Sequence, residues 1–272
     1  MRGKIEDRLA GVNEAGDLDY DLSFLGVNPA RQYWNVGTPQ NPVWDLDSTQ
    51  YGNVPYCYFR SGGLGDLDAD GDLDLVVGCD DEHLRCYWNV GSPYEPAWQY
   101  DPTEFQDVTV LIGPAQPYLA DLDGDEDLDL VVTVTFGHVQ RLENTGTPTT
   151  PEWTYRGYLE GVQIGPGGVS LAALGDIDGD ADLDLIGLSW DTSPQCWENV
   201  GTPGSFEFVE NPAMLSGIEP FPGGCGIDLF DIDADGDLDL MVSGWPESYC
   251  FLNENYVPVE PSSWTTIKAM FR

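Results

Sequence analysis

The chain has 272 residues, and its 48 Asp and Glu against 10 Lys and Arg leave a formal net charge of −38. That excess repels nucleic-acid phosphates and anionic membrane surfaces, so neither is an expected partner. Hydrophobic residues at 41% and aromatics at 12% supply enough apolar surface for a folded core, which sets the chain apart from acidic disordered sequences. No apolar run approaches the ~20 residues needed to span a bilayer, so direct membrane insertion is not expected. The opening MRGKIEDRLA lacks the apolar core of a signal peptide.

An internal repeat organises the chain. Four acidic segments begin at residues 66, 121, 176 and 231, a spacing of 55 residues three times running. One further step back reaches Gly11–Asp19 (GVNEAGDLD), so five repeats are expected, approximately 1–55, 56–110, 111–165, 166–220 and 221–272. Together they make one domain, 1–272. A second signature keeps the same period: NVGTP at Asn35, NVGSP at Asn89, NTGTP at Asn144 and NVGTP at Asn199. Nine residues after each Asn stand Trp44, Trp98, Trp153 and Phe208, and the last copy decays to Asn253-Glu254-Asn255 with Trp264 displaced.

In chain order, repeat 1 opens with a strand near residues 5–10 and then the degenerate loop 11–19. That loop keeps only Asn13 and Asp19 at ligand positions and is expected to bind no metal. In repeat 4 the pattern predicts strands at 169–175, 183–188, 195–200 and 206–209, because the apolar stretches are short, rich in Val, Leu, Ile and aromatics, and bounded by Gly, Pro, Asn and Asp. Repeat 5 ends on a strand near 264–270. Four short strands per repeat of this length is the pattern of a propeller blade. The expected fold is all-β, a five-bladed β-propeller of four-stranded antiparallel blades.

The acidic loops carry the clearest chemistry. A hard cation such as calcium takes six to eight oxygen ligands at ~2.3–2.6 Å, and alternating Asp residues in a tight loop converge their carboxylates on one point. Carboxylate ligands are expected from Asp66, Asp68, Asp70 and Asp74, with the carbonyl of Asp72 completing the set. The corresponding positions are Asp121, Asp123, Asp125, Asp127 and Asp129, then Asp176, Asp178, Asp180, Asp182 and Asp184, then Asp231, Asp233, Asp235, Asp237 and Asp239. Five Asp in nine residues repel one another unless a cation compensates them, so four Ca²⁺ sites are expected. Gly71 suits the sharp turn at the sixth position, where two loops carry Glu126 and Ala181 and place a glycine earlier, at Gly124 and Gly179.

The segments GDLDADGDLDLVVG (65–78), ADLDGDEDLDLVVT (120–133), GDIDGDADLDLIGL (175–188) and FDIDADGDLDLMVS (230–243) resemble FG-GAP/VCBS repeats, the calcium-loop blades of integrin-α-like propellers and of secreted bacterial proteins. The resemblance implies that each acidic loop joins the first and second strands of its blade and holds calcium at the rim, and that the protein is secreted or displayed at the cell surface. Five units depart from the commoner seven. With a first strand at the start and a fourth strand at the end, no blade is shared between the termini, and ring closure falls to side-chain packing or to strand exchange with another copy.

Six cysteines, Cys57, Cys79, Cys86, Cys196, Cys225 and Cys250, form an even set compatible with an oxidising compartment. Cys79 and Cys86 flank a short connection and are candidates to face each other across a hairpin. Cys86, Cys196 and Cys250 stand three residues before the turn Asn, where other repeats carry Gln32 and Arg141.

His83 and His138 belong to no repeated constellation, and no nucleophile elbow, zincin motif or phosphate loop is present. No enzymatic activity is therefore expected. The recurring Trp44, Trp98, Trp153, Phe208 and Trp264 are expected to pack between blades. In the pairs Tyr33-Trp34, Tyr87-Trp88 and Cys196-Trp197, alternation along a strand points one member outward, where a ring could stack on a sugar. The expected function is a calcium-stabilised extracellular binding or adhesion module for a glycan or protein ligand. The alternatives are a structural subunit that self-assembles through its terminal blades, and an accessory part of a secreted carbohydrate-active enzyme.

Overall fold

The structure is a computed structural model. It describes residues 20–22, 31–35, 44–47, 54, 61–79, 83–93, 95–108, 115–165, 170–189, 193–202, 205–218, 224–231, 236–244, 249–253 and 264–268. Every described sheet is antiparallel and every strand follows its predecessor as a meander, the topology of a propeller blade.

Repeat 1 contributes a three-stranded sheet of β1 (Tyr20–Leu22), β2 (Arg31–Asn35) and β3 (Trp44–Asp47). Repeat 2 forms a four-stranded blade of β4 (Ser61–Gly65), β5 (Asp74–Gly78), β6 (Leu84–Asn89) and β7 (Trp98–Asp101). Repeat 3 follows with β8 (Gln116–Ala120), β9 (Asp129–Thr133), β10 (Val139–Asn144) and β11 (Trp153–Tyr158). Repeat 4 supplies β12 (Ser170–Gly175), β13 (Asp184–Ser189), β14 (Gln195–Asn199) and β15 (Phe208–Glu210), and repeat 5 supplies β16 (Gly224–Phe230), β17 (Asp239–Gly244), β18 (Tyr249–Asn253) and β19 (Trp264–Lys268).

The fold is thus all-β, with four complete blades among the described residues where five were expected. The strand expected near residues 5–10, and the degenerate loop with Asn13 and Asp19, lie outside the described residues. The four strands expected in repeat 4 are all present, each within two residues of its expected start.

By contacts the chain falls into two compact units. One comprises Met1–Asp121, Asp125–Val134 and Gln140–Gly157, the other Leu122–Gly124, Thr135–Val139 and Tyr158–Arg272. In the first, the inner strands β4 and β8 of adjacent blades pack together, and in the second β12 packs on β16. Both faces of a blade are buried, which explains why the second strands read as unbroken apolar runs rather than as alternation. In repeat 2, Val76, Leu84 and Cys86 join Leu119, Leu130 and Leu142 in one core cluster. From the same strands, Leu75, Val77 and Tyr87 join Leu64, Val54 and Cys79 in another. The second strands of repeats 2, 3 and 4 (β5, β9 and β13) are buried along their whole length.

Two-sided burial also decides the fate of the aromatic pairs. Tyr87 and Trp197 are almost fully buried, and Trp88 packs on the opposite core cluster from Tyr87 while its indole N–H donates to Asp101 Oδ2 at 3.2 Å. Neighbours along the strand do point to opposite faces, and both faces pack against core clusters, Tyr87 almost fully buried and Trp88 partly so. Trp153 fulfils the packing role expected of its series: its ring lies 5.3 Å from that of Phe105 and its N–H donates to Glu104 Oε1 at 2.7 Å. The side chains of Trp44 and Trp264, and of Tyr33 and Trp34, lie outside the described residues.

The Cys79–Cys86 pairing is not formed. Hairpin register sets Val76 opposite Cys86 and Gly78 opposite Leu84, so Cys79 lies beyond the paired segment and cannot meet Cys86 across it. Cys79 is disulfide-bonded elsewhere, and Cys86, Cys196 and Cys250 are buried thiols.

Candidate functional site

Each acidic loop is the connection between the first and second strands of its blade. The register pairs the residue before the loop with the ninth Asp: Gly65 with Asp74, Ala120 with Asp129, Gly175 with Asp184 and Phe230 with Asp239. The ninth Asp is therefore the first residue of the second strand, held by the ladder, while the first eight residues arch over it.

The arch is built by carboxylates that accept from the loop's own amides. Asp66 accepts from Asp70 N at 3.1 Å and Gly71 N at 3.3 Å. Its counterparts Asp121, Asp176 and Asp231 accept from the sixth residue at 3.1, 3.1 and 3.0 Å, namely Glu126, Ala181 and Gly236. The fifth Asp accepts from the seventh amide, as in Asp70 with Asp72, Asp125 with Asp127 and Asp180 with Asp182.

In the fully described loops this winding needs positive φ at two places. The fourth position has φ of 55° at Ala69, 78° at Gly124 and 81° at Gly179, and the sixth has 99° at Gly71, 75° at Glu126, 76° at Ala181 and 101° at Gly236. Every fully described loop thus spends a single glycine on two left-handed positions and leaves one to an L-residue, at a cost of roughly 1–2 kcal/mol. Glu126→Gly and Ala181→Gly should each stabilise the protein by about 0.5–1 kcal/mol after the extra unfolded-state entropy of glycine is subtracted. Chemical denaturation checks this, and a loss of stability in either variant would show that the backbone there is not strained.

The arrangement brings ligand-type atoms together. One carboxylate oxygen from each of Asp66, Asp68 and Asp70 lies within 4.8 Å of the others, as do those of Asp121, Asp123 and Asp125, and of Asp176, Asp178 and Asp184. Bonds of ~2.3–2.6 Å from one calcium ion separate its ligands by no more than about 5 Å, so each trio can share an ion. Among the described residues the ninth Asp joins a trio only in repeat 4. Asp231, Asp237 and Asp239 are placed alike in repeat 5, with Asp237 and Asp239 buried, while Asp233 and Asp235 lie outside the described residues.

The seventh position supplies an observation that the sequence did not suggest. Asp72 Oδ1 and Asp182 Oδ1 are buried side-chain oxygens with no hydrogen-bond partner. Burial, followed by the charges of Asp70, Asp68 and Asp66, pushes the Asp72 carboxyl up to about 6. Burial, then Asp180, does the same to Asp182. An unpartnered buried carboxylate oxygen is costly, and a hard cation is the partner that such an oxygen fits. The donor set, all oxygen and all anionic, suits calcium and offers nothing to softer metals.

The ninth Asp does structural work as well. Asp74 Oδ2 accepts from Leu67 N at 3.0 Å and its Oδ1 from Asn89 N at 2.8 Å. Asp184 repeats the pair with Ile177 N at 3.1 Å and Asn199 N at 2.9 Å. Asp129 and Asp239 accept from Asn144 N and Asn253 N at 2.8 and 2.9 Å. The Asn then fixes the next turn: Asn89 Oδ1 accepts from Gly91 N and Ala97 N, Asn144 Oδ1 from Gly146 N and Glu152 N, and Asn199 Oδ1 from Gly201 N and Glu207 N. A Cβ at Gly91, Gly146 or Gly201 would lie 2.3 Å from a carbonyl oxygen across that turn, so the motif requires glycine there. The acidic loop and the Asn-Val-Gly turn, two signatures in the sequence, are thus one hydrogen-bonded unit. The constant spacing of 15 residues from ninth Asp to Asn in repeats 2 to 4 was the signal that could have revealed it.

A meander of short-stranded blades with acidic first hairpins defines a repeat-built propeller-type protein. The family model of the FG-GAP-like repeat matches residues 66–132 and 176–242, each match spanning two acidic loops. Residues 66–132 and 176–242 are thus FG-GAP-like repeats. No curated protein matches it. Among solved structures, a Photorhabdus luminescens Tc holotoxin pore bearing the mutation TccC3-D651A is similar at 19% identity with a TM-score of 0.43. That match covers 98% of this chain, which spans 12% of the length of the other.

Proposed function

We propose that the four acidic loops bind calcium and that the ions hold together a five-bladed propeller serving as a non-catalytic binding or adhesion module outside the cell. The observation that carries the calcium reading is the convergence of three carboxylates in the loops of repeats 2, 3 and 4, together with the unpartnered buried oxygens of Asp72 and Asp182. The 55-residue period supports the fifth blade. The disulfide at Cys79 supports an oxidising, extracellular setting. Tyr100, Tyr155 and Tyr158 are exposed on outer strands and offer rings of the kind a glycan or protein ligand contacts. A glycan array read with calcium and again after chelation tests the ligand half of the proposal. Calcium-dependent retention of a glycan class supports it, and an empty array with properly loaded protein moves the search to protein ligands.

A further inference from the structure

Repeat 3 departs from its neighbours at one buried position. Three residues before the turn Asn, repeats 2, 4 and 5 carry the buried thiols of Cys86, Cys196 and Cys250, whereas repeat 3 carries Arg141. The Arg141 side chain is largely buried and its Nη2 lies 3.8 Å from Oδ2 of Asp129, which is itself almost wholly buried. The guanidinium is held in place by Glu143, whose Oε2 accepts from Arg141 Nη2 at 2.8 Å. Glu143 in turn is gripped by Arg156, through Nε at 3.0 Å and Nη2 at 2.8 Å. A chain with only ten basic residues commits two of them to this network, which ends on the carboxylate that ties the acidic loop to the turn.

We propose that Arg141 is a built-in counter-cation for Asp129, so that the blade of repeat 3 keeps its Asp129–Asn144 bond at nearly full strength when its loop carries no metal, whereas the equivalent bonds of repeats 2 and 4 persist but weaken. The proposal rests on reading the loops as metal sites. A permanent charge beside the buried carboxylate performs one of the tasks of the ion, compensation of the buried negative charge. In repeats 2 and 4 a neutral thiol occupies that position, and Cys86 and Cys196 are held firmly in the thiol form by burial.

The Asn amides report on these bonds directly, since each donates to its ninth Asp. Hydrogen exchange at Asn89, Asn144 and Asn199 should be measured on the full chain, loaded with calcium and then stripped with EDTA, with calorimetric calcium titration as the control for binding. On stripping, Asn89 and Asn199 should lose protection by about tenfold or more while Asn144 changes little. Arg141→Gln should make Asn144 behave like the other two in EDTA and recover protection when calcium is restored, and Arg141→Lys should retain most of the wild-type protection. Equal loss at all three amides in the wild-type chain overturns the proposal whatever the variants do, as does full protection of Asn144 in Arg141→Gln. A chain that takes up no calcium overturns the underlying metal reading, and the proposal with it.

Discussion

Stripping the protein of calcium should lower its melting temperature by about 20–40 °C. An ion bound only by the native state contributes roughly 2.7 kcal/mol when free calcium is ~100 times Kd. Four such ions contribute on the order of 10 kcal/mol, comparable with the entire stability of an ordinary domain, and in a chain of this size each kcal/mol moves the transition by about 2–4 °C. The loss should grow with pH. Burial raises the carboxyl of Asp74 to about 7, although the amides of Asn89 and Leu67 pull it the other way, and burial raises that of Asp184 to about 8 against the amides of Asn199 and Ile177. In the unfolded chain both return to the ordinary Asp value of 3.8. Between these limits the metal-free native state binds protons that the unfolded state has released. Its stability is therefore greatest at acid pH and declines as pH rises through about 7–8. A bound cation favours the ionised carboxylates and opposes that decline. Thermal melts at pH 5 and pH 8, with calcium and with chelator, check both signs. A chelated protein that melts with the loaded one at pH 8 contradicts the expectation.

Asp184→Asn should destabilise the protein even without metal, unlike Asp180→Asn in the same loop. Asp184 receives two backbone N–H donors, from Ile177 and Asn199, at a position that is almost fully buried. An amide has a single acceptor oxygen, and its NH₂ opposes the second donor, leaving one buried N–H unsatisfied at a cost of about 1–3 kcal/mol. Asp180 is exposed, and its substitution removes one candidate ligand and some repulsion within the loop. In chelator, Asp184→Asn should therefore lose about 1–3 kcal/mol while Asp180→Asn stays within about 0.5 kcal/mol of the parent. In calcium both should fall, because both remove an oxygen from the site. Equal behaviour of the two variants in chelator would mean that the link from the ninth Asp to the turn adds no stability of its own.

The strands and acidic loops could be located in the sequence because repetition multiplies a weak local signal. A single run such as Asp184–Ser189 is ambiguous between strand and helix, but the same run at Asp74, Asp129 and Asp239, always after an acidic turn, is not. Interactions between distant residues were harder to see. The bond from Asp74 to Asn89 leaves no trace except a constant spacing, and the left-handed backbone at Glu126 and Ala181 shows only through their alignment with Gly71 and Gly236. Period-two alternation says that neighbours such as Tyr87 and Trp88 face opposite ways, but not how far the second face is covered by another blade. Cys79 and Cys86 illustrate the same limit, since proximity in sequence did not carry the register that separates them. Arg141 stood out in the sequence only as an exception at a cysteine position, and its meaning rests on distances to Asp129 and Glu143.

Calcium uptake at the acidic loops is tested most directly by counting ions on purified protein, by elemental analysis after equilibrium dialysis and by calorimetric titration of the stripped chain. Four calcium ions per chain are expected, one for each full acidic loop. Replacing Asp176 and Asp178 together by Asn, which dismantles the trio of repeat 4, should leave three. A stripped chain that binds no calcium, or a double variant that binds as many ions as its parent, would contradict the assignment of these loops as the metal centres.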